Sequence, residues 1–190
     1  METIAHRIIK YLDSDQIFWS DIDRMHMMLG IQVFLHNIIM IGTILFLAQI
    51  ADIFREAAIL LTSYGTLKMS AGGVHFKKSS TCLIGTGIFV GVGVFISRQL
   101  HITLFLIIFI YLICFIALTI IGPQGTENNP ISEKNYEKLR KRTMFLVFIY
   151  LIITIVMSIS MGHIPYLLFV AVVFETLSLF PSYIKRRGIF

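Results

Sequence analysis

Apolar residues in this chain are gathered into long runs, separated by charged segments or by segments that contain Gly and Pro. Five runs are close to the ~20 residues that an α-helix needs to cross a bilayer. They are residues 31–50, 82–97, 102–121, 143–161 and 164–181. A sixth run, 57–67, is shorter, and a run of about 10 to 14 residues could equally be re-entrant or interfacial. The pattern predicts an all-α integral membrane protein.

The composition supports a membrane location over a soluble one. Of the 190 residues, 56% are hydrophobic and 14% are charged, which is more apolar than a soluble core of this size requires. The net charge of +5 comes from cations placed between the apolar runs, so we expect a lipid bilayer as partner and no nucleic acid. Two cysteines in different runs, Cys82 and Cys114, are too few for a disulfide framework, so reduced thiols are expected.

The distribution of positive charge indicates whether the 57–67 run crosses the membrane. If it crosses and the N-terminus is cytoplasmic, every Lys and Arg except Arg55 and Arg98 lies on the cytoplasmic side. Five crossings from the same start would leave most cations outside, against the positive-inside tendency. The chain is therefore predicted to be a multi-pass cell-membrane protein with about six transmembrane helices and both termini cytoplasmic. The second helix should be short and open into a turn at Gly72-Gly73.

The first residues show the pattern of a helix lying in the cytoplasmic interface. Ile4, Ile8, Ile9 and Leu12 repeat at helical spacing beside basic residues. An ordinary packed or partly disordered arm is the alternative. The predicted organisation is an N-terminal cytoplasmic or interfacial helical segment at 1–30, a polytopic membrane domain at 31–184 and a basic cytoplasmic tail at 185–190.

The segment between the second and third runs combines a base, His75, with a nucleophile, Cys82. A cysteine attacks carbonyls as its thiolate, and a histidine can take the proton and later return it to a leaving group. Seven residues on one straight helix separate the Cα atoms by about 10 Å, which is too far for a hydrogen bond between the side chains. We therefore expect the segment to bend, and Gly72-Gly73 supplies the backbone freedom.

The sequence also suggests how the cysteine is activated. Ser79, Ser80 or Thr81 is a candidate N-cap of the third helix, which would place Cys82 in its first turn. There the helix dipole favours a thiolate, unpaired N–H groups can face an oxyanion, and Lys77 and Lys78 add positive potential. By chemistry alone the signal is weak, because cysteine is also a common small apolar residue.

The arrangement Gly72-Gly73-x-His75, followed by Cys82 in a basic six-span chain of this length, resembles the accessory gene regulator B (AgrB) family of membrane cysteine endopeptidases. The loop at 122–132 and the basic stretch after it are similar to the clostridial-type members. Three features depart from the family pattern. Val74 stands where the family often has an aromatic residue, and Phe76 stands where it often has a small one. The chain also has fewer arginines before the glycines. These departures leave substrate selectivity open.

The resemblance implies cytoplasmic cleavage of a short quorum-sensing precursor peptide on its C-terminal side. His75 would deprotonate Cys82, which would form an acyl-enzyme thioester with the precursor. An internal nucleophile of the precursor would then release a cyclic thiolactone or lactone. No metal or organic cofactor is implied, residues 31–184 would form the peptidase domain, and a homodimer is a candidate assembly.

In the family the precursor has an amphipathic leader and an acidic tail, so cations on the cytoplasmic side are candidate substrate-binding residues. The candidates are Lys77, Lys78, Lys134, Lys138, Arg140, Lys141 and Arg142. Binding of anionic lipid, or simple determination of topology, accounts for the basic stretch at least as well.

Glu175 lies near the middle of the last run, where an ionisable residue is a functional hypothesis by default. It could bond to a polar residue such as His36, Asn37 or Gln49, or take part in catalysis. Cys114 is expected to be an ordinary packed residue. The principal alternative for the whole chain is a small multi-pass transporter or peptide exporter, with Glu175 on its path.

Overall fold

The computed structural model describes residues 21–72, 79–99, 102–124, 131, 133–158 and 164–186, and throughout these residues the regular structure is helical. Six helices lie within them. They are α1 (Asp21–Ile50), α2 (Phe54–Ala71), α3 (Ser79–Gln99), α4 (Leu104–Ile121), α5 (Glu133–Met157) and α6 (Ile164–Arg186). The predicted interfacial helix at the N-terminus falls outside the described residues.

Four of these helices are long and apolar enough to cross a bilayer. The segments are Met27–Ile50, Thr81–Gln99, Leu104–Ile121 and Ile164–Pro181. Each overlaps one of the five long runs in the sequence. α2 and α5 do not reach the same hydropathy because both carry charged residues within the helix.

The second helix is longer than its apolar run, so the prediction of a short helix is wrong. α2 has 18 residues, Phe54–Ala71, and continues past both ends of the 57–67 run. At one end Glu56 pairs with Arg98 of α3, and at the other the Lys68 ammonium donates to Tyr64. Because these charges find partners, they do not end the helix. α5 similarly begins at Glu133, well before the apolar run at 143.

The described residues fall into two units, 1–47 and 48–190. In the first unit α1 exposes many large apolar side chains, among them Val33, Phe34 and Phe46, while Ile44 is buried. In the second unit α6 is the central helix, since it packs against each of α2, α3, α4 and α5. Its residues 167–172 are all buried.

The five helices of the second unit alternate in direction. The start of α2 meets the end of α3 at the Glu56–Arg98 pair, and Arg140 near the start of α5 donates to the Thr119 carbonyl oxygen near the end of α4. The Gln124 N–H, just after α4, donates to the Ala71 carbonyl oxygen at the end of α2. The end of α2, the start of α3, the end of α4 and the start of α5 therefore share one end of the unit, called here the Gly72 end. Cys82, near the start of α3, belongs to this end, as do the cations near the start of α5.

Apolar side chains cover the outside of the second unit. On α4, large side chains such as Phe105, Phe109 and Leu112 are exposed, whereas Ile107 and Tyr111 are buried. Among the described residues, the buried side-chain polar groups other than Glu175 Oε1 are paired, as in the 3.0 Å hydrogen bond between the Tyr111 and Thr154 hydroxyls. An apolar exterior around a core with paired polar groups is what a lipid environment favours.

Candidate active site

The inward faces of α2 and α3 meet in a regular antiparallel register. Three contacts mark it: Glu56 with Arg98, Leu60 with Gly93, and Tyr64 with Phe89, whose ring centroids are 4.4 Å apart. Each step of four residues along α2 is matched by a step back of four or five along α3. The same register places Lys68 level with Gly85, and the end of α2 at Gly72 level with Thr81, the residue before Cys82.

Cys82 lies on the inward face of α3, close to the start of that helix. α3 begins at Ser79, so the cysteine belongs to the first four residues, and the predicted position in the first turn is confirmed. It is seven residues from Phe89 and therefore on the same face, which packs toward α2. Cys82 is half-buried, whereas Cys114 is buried in α4, as expected of a packed residue.

Gly72 ends α2 in a conformation that favours glycine. Its φ of 78° and ψ of −130° lie outside the helical region, and its N–H still closes the last turn with a 2.8 Å bond to the Lys68 carbonyl oxygen. A Cβ at this position would also overlap the Gln124 carbonyl oxygen. The predicted turn at Gly72 is therefore confirmed as the end of α2, whereas the bend expected between His75 and Cys82 falls largely outside the described residues. His75, Lys77 and Lys78 lie outside the described residues.

Gln124 joins the connection after α4 to the end of α2. Its backbone N–H donates to the Ala71 carbonyl oxygen at 2.8 Å, and its side-chain Nε2 donates to the Ile121 carbonyl oxygen at 2.7 Å. Gln124 is buried although its neighbours in sequence are loop residues. The sequence alone does not predict a role for Gln124, because one polar residue in a loop with glycines gives no sign of a distant partner.

The start of α5 is packed against the end of α4. At Gly122, where φ is 68°, a Cβ would overlap the Tyr136 hydroxyl. The Arg140 guanidinium donates to the Thr119 carbonyl oxygen at 3.1 Å, and its Nη1 lies 4.0 Å from Glu137 Oε1. Arg140 thus satisfies a carbonyl in the last turn of a helix, a favourable place for a cation.

Three of the other predicted substrate-binding cations on α5 are more exposed than Arg140. Lys138, Lys141 and Arg142 are exposed, and Lys134 lies in the first turn of α5. All are carried by α5, whose start belongs to the Gly72 end. The described part of the basic stretch therefore combines one cation that packs on α4 with three that face outward.

A comparison with protein-family models matches residues 1–179 to accessory gene regulator B. The chain belongs to the accessory gene regulator B (AgrB) family. The family takes part in processing autoinducing peptides in quorum sensing, and membership together with the four apolar helices identifies a membrane protein. Comparisons with curated proteins and with solved structures give no match.

The AgrB chain also contains a buried carboxylate, Glu175, in the middle of α6. Glu175 is fully buried, and its Oε2 accepts a hydrogen bond from the Ser178 hydroxyl at 3.3 Å. Among the described residues its Oε1 has no hydrogen-bond partner. The hydrogen bond to Glu175 thus comes from a residue of its own helix. It does not come from His36, Asn37 or Gln49, the partners that the sequence suggested.

Proposed function

We propose that this AgrB protein is a membrane cysteine endopeptidase that cleaves a quorum-sensing precursor peptide, with Cys82 as nucleophile and His75 as base. One observation carries the proposal. Cys82 lies in the first turn of α3, half-buried and within one residue of the level of Gly72, and the chain leaves α2 at Gly72 three residues before His75. α3 begins at Ser79, four residues after His75, so the separation that one straight helix would impose between the two side chains does not apply.

The chemistry follows from the two residue types. His75 takes the proton of the Cys82 thiol, and the thiolate attacks the scissile carbonyl carbon. The C–N bond breaks, the amine of the C-terminal fragment leaves with the proton from the imidazolium, and the N-terminal part remains as a thioester on Cys82. An internal thiol or hydroxyl of the precursor then attacks the thioester, which releases a cyclic thiolactone or lactone and restores the Cys82 thiol.

The surroundings of Cys82 suit both halves of this reaction. In the first turn of α3 the unpaired backbone N–H groups can face the oxyanion that develops when the thiolate attacks the carbonyl. Below Cys82, Phe89 on the same face of α3 packs against Tyr64 of α2. An apolar boundary limits the access of water to the thioester, so that attack by the internal nucleophile competes better with hydrolysis.

The basic residues at the Gly72 end are proposed to attract the acidic tail of the precursor. Exposed Lys138, Lys141 and Arg142 offer charge to a peptide that approaches from this side. From the sequence, we propose the same role for Lys134, Lys77 and Lys78. Arg140 is assigned there too, in addition to its contact with α4.

A six-span topology with the Gly72 end in the cytoplasm is part of the proposal. The alternating directions of α2 to α6 suit successive crossings, and α2 and α5 would cross with their charged residues paired or near the ends. The Glu56–Arg98 pair then lies at the outer end. The loop at 122–132 and the basic stretch after it favour the clostridial type of AgrB, with a homodimer as the candidate assembly.

The proposal is tested by reconstituting the full chain in liposomes with a synthetic precursor, taken from a short reading frame next to the gene. We expect a covalent adduct on Cys82, detected by intact mass, and a cyclic product. Cys82→Ala should abolish both, and Cys114→Ala should retain both. Undiminished cleavage by Cys82→Ala would refute the mechanism. Transport of intact peptide into the liposomes without cleavage would favour the exporter alternative.

A further inference from the structure

Lys68 is a half-buried cation on the face of α2 that packs against α3. Its Nζ donates to the Tyr64 hydroxyl at 3.0 Å and stands 5.1 Å from the Tyr64 ring centroid. The Tyr64 ring in turn packs on Phe89 of α3, with centroids 4.4 Å apart. The next residue of α2, Met69, is instead exposed. The ammonium group of Lys68 is therefore held at the interface between α2 and α3.

Aromatic contacts fix the direction of the Lys68 side chain. Phe89 also packs edge-on against Phe174 of α6, with centroids 5.1 Å apart, so the Tyr64 ring rests on side chains from two other helices. A ring held in this way attracts the ammonium through its face and through its hydroxyl. An ammonium group has three N–H donors, and the Tyr64 hydroxyl accepts one of them. Lys68 can therefore keep its charge in this place and also donate to an acceptor that enters from the Gly72 end.

Measured from the Gly72 end, the Lys68 ammonium lies deeper in the second unit than Cys82. The register of α2 and α3 places Lys68 level with Gly85, and Tyr64 packs on Phe89. Gly85 and Phe89 follow Cys82 by three and seven residues, about 5 and 10 Å along the helix axis. Because the ammonium lies between Lys68 and Tyr64, it is about 5 to 10 Å below the candidate nucleophile.

We propose that Lys68 is a specificity-determining residue of the proposed reaction, which binds a carboxylate of the peptide two or three residues from the scissile bond. An extended peptide rises about 3.3 Å per residue, so a chain that enters this interface with its scissile carbonyl at Cys82 brings such a carboxylate to the ammonium. A hydrogen bond between two charged groups is stronger than a neutral one, and the aromatic rings exclude part of the water that would weaken it. The proposal rests on the proposed function in taking Cys82 as the nucleophile.

The test measures peptide binding without cleavage. The full chain carrying Cys82→Ala is reconstituted in lipid nanodiscs, and labelled variants of the synthetic precursor, with either Glu or Gln at each position in turn, are titrated by fluorescence anisotropy. One position, two or three residues from the bond that the parent chain cleaves, should favour Glu over Gln about tenfold in affinity. In Lys68→Met this preference should fall below about twofold, and in Lys68→Arg most of it should remain, because the charge is kept.

Arg55→Met is the matched control, since it removes an exposed cation from the start of the same helix, at the opposite end of the unit. It should leave the preference for Glu unchanged. The proposal is overturned if the parent shows no such preference, if the preference persists in Lys68→Met, or if Lys68→Met weakens the Glu and Gln peptides equally. If Lys68→Met fails to fold, Tyr64→Phe decides, because it keeps the ring and removes only the hydroxyl that holds the ammonium. An undiminished preference for Glu in Tyr64→Phe would overturn the proposal equally.

A charge exchange supplies a second readout, in the precursor cleavage assay. Lys68→Glu should raise KM more than tenfold for the precursor with Glu at the preferred position, because like charges repel. A precursor with Lys at that position should restore KM to within about threefold of the parental pair. Equally poor cleavage of both precursors by Lys68→Glu, with an unchanged unfolding temperature, would contradict the proposal. Absence of cleavage in the parent chain would refute the proposed function alone, because the binding measurement needs no reaction.

Discussion

The backbone N–H of Gln124 donates to the Ala71 carbonyl oxygen at 2.8 Å, and this bond joins the connection after α4 to the end of α2. The next residue, Gly72, lies so close to the Gln124 carbonyl oxygen that a side chain would not fit. The point where the chain departs toward His75 is thus held by a segment that also leads into the basic start of α5. The contact of Gln124 with Ala71 and Gly72, called here the anchor, therefore joins the segment that leads to His75 to the segment that leads to the candidate substrate-binding cations of α5.

The first prediction concerns this anchor. Gly72→Ala should lower precursor cleavage more than tenfold in kcat and also lower the unfolding temperature, because the new Cβ meets the Gln124 carbonyl oxygen at a positive φ. Gly65→Ala is the matched control on the same helix, where a Cβ has open space. It should be neutral or should stabilise α2 by up to ~1 kcal/mol. Cleavage at the parental rate by Gly72→Ala would contradict the role of the anchor.

The second prediction separates Arg140 from the exposed cations of α5. Arg140→Ala should lower stability by about 1 kcal/mol or more, because the Thr119 carbonyl oxygen loses its donor. Thermal unfolding in detergent measures this loss. Lys138→Ala is the control on the same helix, exposed and expected to change stability by less than about 0.5 kcal/mol. Equal stability of the two variants would show that the Arg140 contact contributes nothing.

The third prediction concerns recognition of the acidic tail. Replacing Lys138, Lys141 and Arg142 together by Gln should raise KM for the precursor several-fold and leave kcat nearly unchanged, since the three cations face outward. The effect should shrink as salt increases, because exposed charges are screened. A precursor whose tail acids are replaced by amides provides the control. Equal loss with both precursors would argue against a contact with the tail.

The fourth prediction tests the packing of α3 against its neighbours. At Gly93 a Cβ would stand 2.6 Å from Leu60 Cδ2 and 3.5 Å from Val170 Cγ1, so Gly93→Val should destabilise the unit by ~1–3 kcal/mol. Gly87→Val, on the same helix but with open space at its Cβ, should change stability much less. Thermal unfolding in one detergent compares them. The reverse order of stabilities would contradict the packing of α2 on α3.

The fifth prediction tests the orientation of the chain. In a Cys82→Ala, Cys114→Ala background, a cysteine at the exposed Asp52 position should react with an impermeant maleimide applied to intact cells. A cysteine at the exposed Lys138 position should react only after the membrane is opened. These outcomes follow from placing the Gly72 end in the cytoplasm. The opposite labelling pattern would invert the proposed topology.

Local patterns in the sequence were enough to locate several features. Runs of apolar residues marked the four most hydrophobic helices, and Gly72 marked the end of α2, because hydropathy and backbone freedom are properties of neighbouring residues. Cys82 could be placed in the first turn of α3 because Ser79, Ser80 and Thr81 are residues that often begin a helix. The length of α2 could not be obtained in this way, because its charged ends are stabilised by Arg98 and Tyr64 and not by hydropathy.

The sequence by itself determined the helical membrane class of this protein and the residue types that could perform acyl transfer, since both depend on composition and short spacing. Only the tertiary structure decided which distant residues meet. Gln124 joins Ala71, Arg140 reaches α4, and Tyr64 packs on Phe89 because antiparallel packing in one register brings separate helices together. Such contacts leave no periodic trace in a single sequence, because each depends on the relative shift and rotation of two helices.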